Sequence, residues 1–180
     1  MKRVHKSKYL HDYSLKISSL LELQEDNFKK IKDKIKNFNR IIICGNGGSS
    51  SIASHVAVDF NKILKKEAIT FTDDNLITCF ANDYGYENWT LEAMKIYAKK
   101  KDLIILISSS GKSKNIVNAA KFIKKNKIYL ITMTGFEKNN ILSKLGDINI
   151  WIDSKSYNFV EMCHHIFLVA IVDSLKNNDN

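Results

Sequence analysis

The chain has 180 residues, 44% apolar and 26% charged, with a formal charge of +9. That is enough for one domain with a hydrophobic core, and the composition excludes a disordered, fibrous or disulfide-stapled chain. The cations are mostly lysines spread along the sequence, with arginine only at Arg3 and Arg40, so a solvated surface is expected rather than a nucleic-acid-reading one.

The amino-terminal residues through Tyr13 are basic and lack the apolar core of a secretory signal. No apolar run approaches the roughly 20 residues of a membrane span, so no membrane partner is expected. Residues 7–37 carry Leu10, Leu20, Phe28, Ile31 and Ile35 at the spacing of amphipathic helix, in one or two segments. Beyond Arg40 the texture changes. Short Ile-rich runs at 41–44, 68–71, 103–108, 128–132 and 148–152 alternate with helix-like stretches. The runs mostly lack period-two alternation, as strands buried on both faces do. Residues 40–176 therefore read as an α/β core, a three-layer sandwich around a parallel sheet, within one domain spanning 1–180. Tyr157–Leu175 predicts a long terminal helix, apolar around much of its circumference and in need of burial in its own domain or against another subunit. Cys44, Cys79 and Cys163 read as buried reduced thiols, which points to the cytoplasm.

In open α/β sheets ligands bind beyond the carboxyl ends of the strands. Two loops of small residues follow strands here. The first is Gly45-Asn46-Gly47-Gly48-Ser49. A dinucleotide fingerprint would need a sixth-place glycine, where this chain has Ser50. The second is Ser108-Ser109-Ser110-Gly111-Lys112-Ser113. A nucleoside-triphosphate loop would need a glycine at Leu106. Both nucleotide readings are weak. The second loop instead offers four hydroxyls at the start of a helix. Exposed amides there favour an anion, and the hydroxyls add neutral donors to one phosphate. A serine helix cap would account for one of the four. The first loop adds close backbone approach and the Asn46 carboxamide, suited to polyol hydroxyls. Together they point to a sugar phosphate.

Three stretches, CGNGGSSSIASH (44–55), ANDYGYEN (81–88) and ISSSGKSKNI (107–116), resemble the signature loops of the sugar isomerase (SIS) domain. They most resemble its phosphoheptose isomerase branch, which converts sedoheptulose 7-phosphate to a manno-heptose 7-phosphate for bacterial surface polysaccharide. The resemblance runs from about residue 8 to 175. It implies a five-stranded parallel sheet and a homotetramer with active sites shared between subunits. It assigns substrate contacts to Asn46, Gly47, Gly48, Asn82, Asp83, Ser108, Ser109, Ser110 and Ser113.

The family's catalytic pattern is a His-x-x-x-Glu pair on the first core helix, with a Gln and a His eight residues apart on the last. These four groups commonly bind zinc, and the Glu and last His act as base and acid. Here His55 is kept, but the glutamate position is Asp59, shorter by about 1.5 Å. Glu161 stands for the glutamine, as a substrate or metal contact, and the last histidine falls at Val169. His164 and His165 lie about one turn earlier, and Glu161 with His165 share a helix face. The resemblance thus implies Asp59 as base, His165 or His164 as acid, and a displaced zinc set of His55, Asp59, Glu161 and His165. The departures at 59 and 169 keep two alternatives open. One is a non-catalytic SIS module that binds a phosphosugar or a protein partner, and the other is an isomerase of a different sugar phosphate.

Overall fold

Two helices precede the sheet, α1 (Tyr9–Glu22) and α2 (Glu25–Ile35), so the amphipathic segment divides in two. The computed structural model describes residues 8–177. The basic residues through Ser7, Arg3 among them, and the expected helix start at residue 7 lie outside the described residues.

The core then runs β1 (Arg40–Cys44), α3 (Gly48–Leu64), β2 (Glu67–Ile69), α4 (Asp74–Tyr84) and α5 (Trp89–Tyr97). It continues through β3 (Leu103–Ser108), α6 (Lys114–Lys125), β4 (Tyr129–Thr134), a 3₁₀ turn (Leu142–Lys144), β5 (Ile148–Trp151) and α7 (Tyr157–Lys176). All five strands pair in parallel in the order β2-β1-β3-β4-β5, with Ile41 opposite Leu103 and Leu103 opposite Tyr129. The chain leaves β1 toward one edge and β3 toward the other. The crevice between their carboxyl ends is the switch point where ligands bind in such sheets.

The Ile-rich strands are buried on both faces because each face meets its own helical layer. Ile41, Ile43, Ile105, Ile131 and Ile150 pack with α2, α3 and α7. Their alternates Ile42, Cys44, Ile104, Leu106 and Leu130 pack with α5 and α6. Successive side chains on a strand point to opposite faces, so an unbroken apolar run serves both layers.

α7 is long and apolar enough to cross a membrane by length and composition. Here Val160, Phe167, Leu168, Ile171 and Val172 lie in the core against α3 and the sheet. Its other face leaves Met162 and Ile166 partly exposed.

Both sheet edges are closed by amide side chains. Asn61 bonds the N–H and the C=O of Ala68 on β2. Gln24 and Asn27 donate to the carbonyls of Trp151 and Asn149 on β5. Unpaired strand edges invite pairing with other chains, and these contacts remove part of that opportunity. At the amino end, Arg40 on β1 makes a two-pronged bond to buried Asp102, at 3.0 and 2.6 Å, and donates to the Tyr97 carbonyl.

Candidate active site

The turn after β1 needs glycine at position 47, where φ is +53°. Gly48 then opens α3 directly beneath the Glu161 carboxylate. A β-carbon there would lie 2.3 Å from Glu161 Oε2. This close approach pins the start of α3 against the start of α7. It also leaves the Glu161 carboxyl partly desolvated, which raises its pKa.

The loop after β3 turns through Gly111 at φ +65°. Any β-carbon on Gly111 would strike the Asn140 carboxamide at 2.0 Å. Asn140 is itself buried and accepts the Ser143 N–H at 2.8 Å. The loop is also stitched from behind. Gly135 N–H donates to the Ser109 carbonyl and Leu142 N–H to the Gly111 carbonyl.

The four expected serines meet in one small cavity of about 100 Å³, lined also by Asn46, Ser49, Tyr157 and Glu161. Ser108 Oγ and Ser113 Oγ lie 3.0 Å apart. Ser113 occupies the cap position of α6, yet its side chain makes no capping bond. The simple helix-cap role is therefore not what its hydroxyl does. Ser109 Oγ is buried with no partner, and Ser110 Oγ accepts the Lys112 N–H at 3.2 Å. An unpartnered buried hydroxyl and an uncapped helix start on one cavity offer donors to an anion.

Asn46 lines this cavity, but its carboxamide is largely engaged. It exchanges two 2.9 Å hydrogen bonds with Asn115 on α6, and Asn115 donates a third, also 2.9 Å, to buried Thr90. The pair fastens the glycine loop to the serine helix across the switch point. One N–H and one lone pair remain on Asn46 for a ligand. Sequence reasoning missed Asn115, Thr90 and Asn140. Thr90 and Asn115 are single polar residues on otherwise apolar helix faces, and Asn140 lies in the loop after β4.

Along the α3–α7 groove, His55, Asp59 and His165 come together. His55 Nε2 is 3.3 Å from Asp59 Oδ2, and the rings of His55 and His165 meet edge to face at 4.8 Å. His165 is held below the ordinary histidine range by burial and by His55, while Asp59 pulls the other way. Its ring is thus biased to the neutral form, a proton acceptor or ligand more than a proton source.

His164 corrects the expectation that either histidine serves. It is fully buried, its Nε2 lies 3.2 Å from the Thr134 carbonyl, and burial lowers its pKa to about 4. Adjacent helical residues point about 100° apart, so only His165 reaches the α3 groove. Val169, at the family's last histidine position, packs against the core.

Asn82 and Asp83 sit exposed at the end of α4, bonded to each other at 3.0 Å, and neither lines the serine cavity. Cys44 and Cys163 are buried, with burial pushing their thiols up to about 12 and about 11. Cys79 is exposed, against the expectation of burial, because α4 buries none of its residues. Trp89 and Met94 fill the core, whereas Trp151 lies half-buried at the β5 edge.

The donor types of His55, Asp59, Glu161 and His165 suit zinc. As placed, however, no three or more His, Cys, Asp or Glu side chains among the described residues are arranged to hold a metal ion. The residues therefore do not fit the ion in this arrangement.

A profile of the SIS domain matches residues 8–135. A phosphoheptose isomerase of Aliarcobacter butzleri is 31% identical over 172 residues, covering 89% of this chain and 90% of its own length. Among solved structures, a phosphoheptose isomerase of Neisseria gonorrhoeae superposes with a TM-score of 0.86 at 20% identity, covering 94% and 96% of the two chains. The NanR protein of Vibrio vulnificus, solved with ManNAc-6P, superposes with a TM-score of 0.70 at 19% identity over 96% of this chain and 64% of its own. At these identities the two structural likenesses are likenesses of fold.

Proposed function

Because the chain belongs to the SIS domain family, and within it to the phosphoheptose isomerases, we propose that it interconverts sedoheptulose 7-phosphate and a glycero-manno-heptose 7-phosphate. The observation that carries the reading is one line of groups in the α3–α7 groove. It begins at the serine cavity with Glu161 over Gly48 and ends at His55, Asp59 and His165. Gly48 and His55 are seven residues apart on α3, roughly 10 Å by helical rise. From C1 to phosphorus a heptose 7-phosphate spans eight bonds, also roughly 10 Å when extended. With its phosphate on Ser108, Ser109, Ser110 and Ser113, the sugar would bring C1 and C2 to the far group.

There Asp59 takes a proton from C1 of the ketose and returns it to C2, through an enediolate. His165, neutral at the start, accepts the O1 proton and delivers it to O2, so no net proton is gained or lost. His55 holds Asp59 in position. Asn46 and the amides of Gly47 and Gly48 meet sugar hydroxyls, and Asn82 and Asp83 contribute only if α4 or a second subunit brings them to the groove. Zinc binding on His55, Asp59, Glu161 and His165 is a separate proposal, which requires these side chains to close on the ion.

The proposed assembly is a homotetramer, favoured by the exposed apolar residues Leu10, Leu15, Val58, Met162 and Ile166. The cytoplasm is the proposed compartment, consistent with the free exposed thiol of Cys79. The proposed destination of the product is surface polysaccharide.

A second reading is a phosphosugar-binding module without catalysis, or an isomerase acting on another sugar phosphate. Aspartate at position 59 and valine at 169 favour it. Proton NMR of sedoheptulose 7-phosphate in D₂O, metal-free and then with zinc, separates the readings. Loss of a C1 proton signal with growth of an aldose establishes the isomerase. Exchange without product indicates another sugar. Line-broadening without exchange overturns the catalytic reading.

A further inference from the structure

A cavity of about 510 Å³ stands apart from the serine site. It lies at the β5 edge of the sheet, between the α1–α2 turn and the segment that follows β4, with Gln24, Lys138, Asn139, Lys144, Asn149 and Trp151 on its wall. Its volume falls in the range of small-metabolite sites.

The wall is chemically sorted. Lys138 and Lys144 appear in no ion pair among the described residues. The Lys138 ammonium sits 5.4 Å from the Trp151 ring centroid, which holds it at the mouth. The floor is fixed. Gln24 donates to the Trp151 carbonyl, and Asn149 Oδ1 accepts from Thr132 and Thr134. That leaves the Asn149 N–H₂ and the Asn139 carboxamide for hydroxyl groups. Two unpaired ammoniums beside amides on a rigid floor match a phosphate ester that carries hydroxyls.

The segment forming one wall also holds the serine loop from behind. Lys138, Asn139 and Lys144 face this cavity, while Gly135, Asn140 and Leu142 of the same segment brace Ser109 and Gly111. A ligand that draws Lys138 and Lys144 together would therefore load the backbone that shapes the serine cavity.

We propose that this cavity is a second binding site, for a phosphorylated polyol, whose occupancy is felt at the serine loop. A sugar monophosphate and a nucleotide present the same phosphate-and-hydroxyl chemistry, and the experiment distinguishes them. Binding does not depend on the isomerase reading. Only the significance of the serine loop rests on it.

The test is calorimetry at low ionic strength with inorganic phosphate, glucose 6-phosphate and ADP, on the native chain and two variants. Ser110→Ala/Ser113→Ala disables the serine cavity, and a lysine variant that adds Lys138→Ala/Lys144→Ala to those two changes disables the second as well. Both lysines are exposed, so the fold should tolerate their loss. The expected result is saturable binding of glucose 6-phosphate or ADP that survives in the serine variant and weakens about tenfold or more in the lysine variant. Whichever compound binds identifies the source. Absence of saturable binding in the serine variant, or binding unchanged in the lysine variant, overturns the site. Hydrogen exchange of the ligand-saturated serine variant reads the coupling. Slower exchange across residues 108–113 supports it, and unchanged exchange there overturns the coupling.

Discussion

At the scale of single residues, the serine cavity divides its work unequally. Ser108 and Ser113 bond each other, whereas Ser109 Oγ has no partner and Ser110 only accepts a backbone N–H. A phosphate would engage all four hydroxyls as donors. Replacing Ser113 or Ser110 with alanine should weaken sedoheptulose 7-phosphate binding about tenfold to a hundredfold, since a hydrogen bond to a charged group contributes about 1.5–3 kcal/mol. Calorimetry checks this, and unchanged affinity would refute the phosphate assignment. Asp59→Asn removes the proposed base but keeps shape and length. Turnover should fall about 10²–10⁴-fold with binding near normal. A variant that still turns over at the native rate would move the base to His165 or His55. Adjacent histidines show how local the distinction is. His165 meets His55 in the groove, while His164 is sealed beneath β4.

At the scale of elements, the site is a set of loops that would have no fixed shape alone. The turn after β3 is held by Asn140 pressed on Gly111, and the turn after β1 by the Asn46–Asn115 exchange. Asn115→Ala should leave the Asn46 carboxamide and the Thr90 hydroxyl short of partners, costing about 1–3 kcal/mol for each buried group left unsatisfied. The expected signature is a lower urea midpoint together with a raised KM for the sugar phosphate. A change in stability with KM unaltered would confine Asn115 to the core. Gly111→Ala is the harsher test. Its β-carbon has no room and its backbone conformation is left-handed, so substrate binding should be lost even where circular dichroism shows the helices intact.

At the scale of the whole molecule, two features govern stability and assembly. His164 titrates at about 4 in the fold against 6.5 for an exposed ring, because burial penalises its charged form. Its folded value is depressed, so below pH 6.5 the unfolded chain binds the extra proton and stability falls with pH, levelling off near 4. Between pH 7 and 5 this contributes a loss of about 2 kcal/mol. Urea unfolding of the native chain and of His164→Gln should show that slope in the first and a flatter one in the second. Equal slopes would assign the acid sensitivity elsewhere. The exposed apolar faces of α1, α3 and α7 predict association, and light scattering should return about four times the 20.6 kDa chain mass. A monomer at micromolar concentration would refute the tetramer.

The sheet was legible in the chain itself. Ile41–Cys44 and Leu103–Ser108 are short, Ile-rich and unalternated, and a strand covered on both faces requires just that pattern. The two loops could be placed at strand ends because glycine clusters and serine runs mark where such strands stop. Other features were silent. Asn115, Thr90 and Asn140 are ordinary polar residues until folding brings together positions 46, 90, 111, 115 and 140, distant in sequence. Helical spacing put Glu161 and His165 on one face, and it could not tell which of His164 and His165 looked toward α3. That depended on the rotation of α7, fixed when Phe167, Leu168 and Ile171 were buried against the sheet. Local chain chemistry thus determined the strands and the loops that follow them. The tertiary structure alone decided which groups share the groove, because side chains remote in sequence meet only where packing sets the angle and depth of each helix.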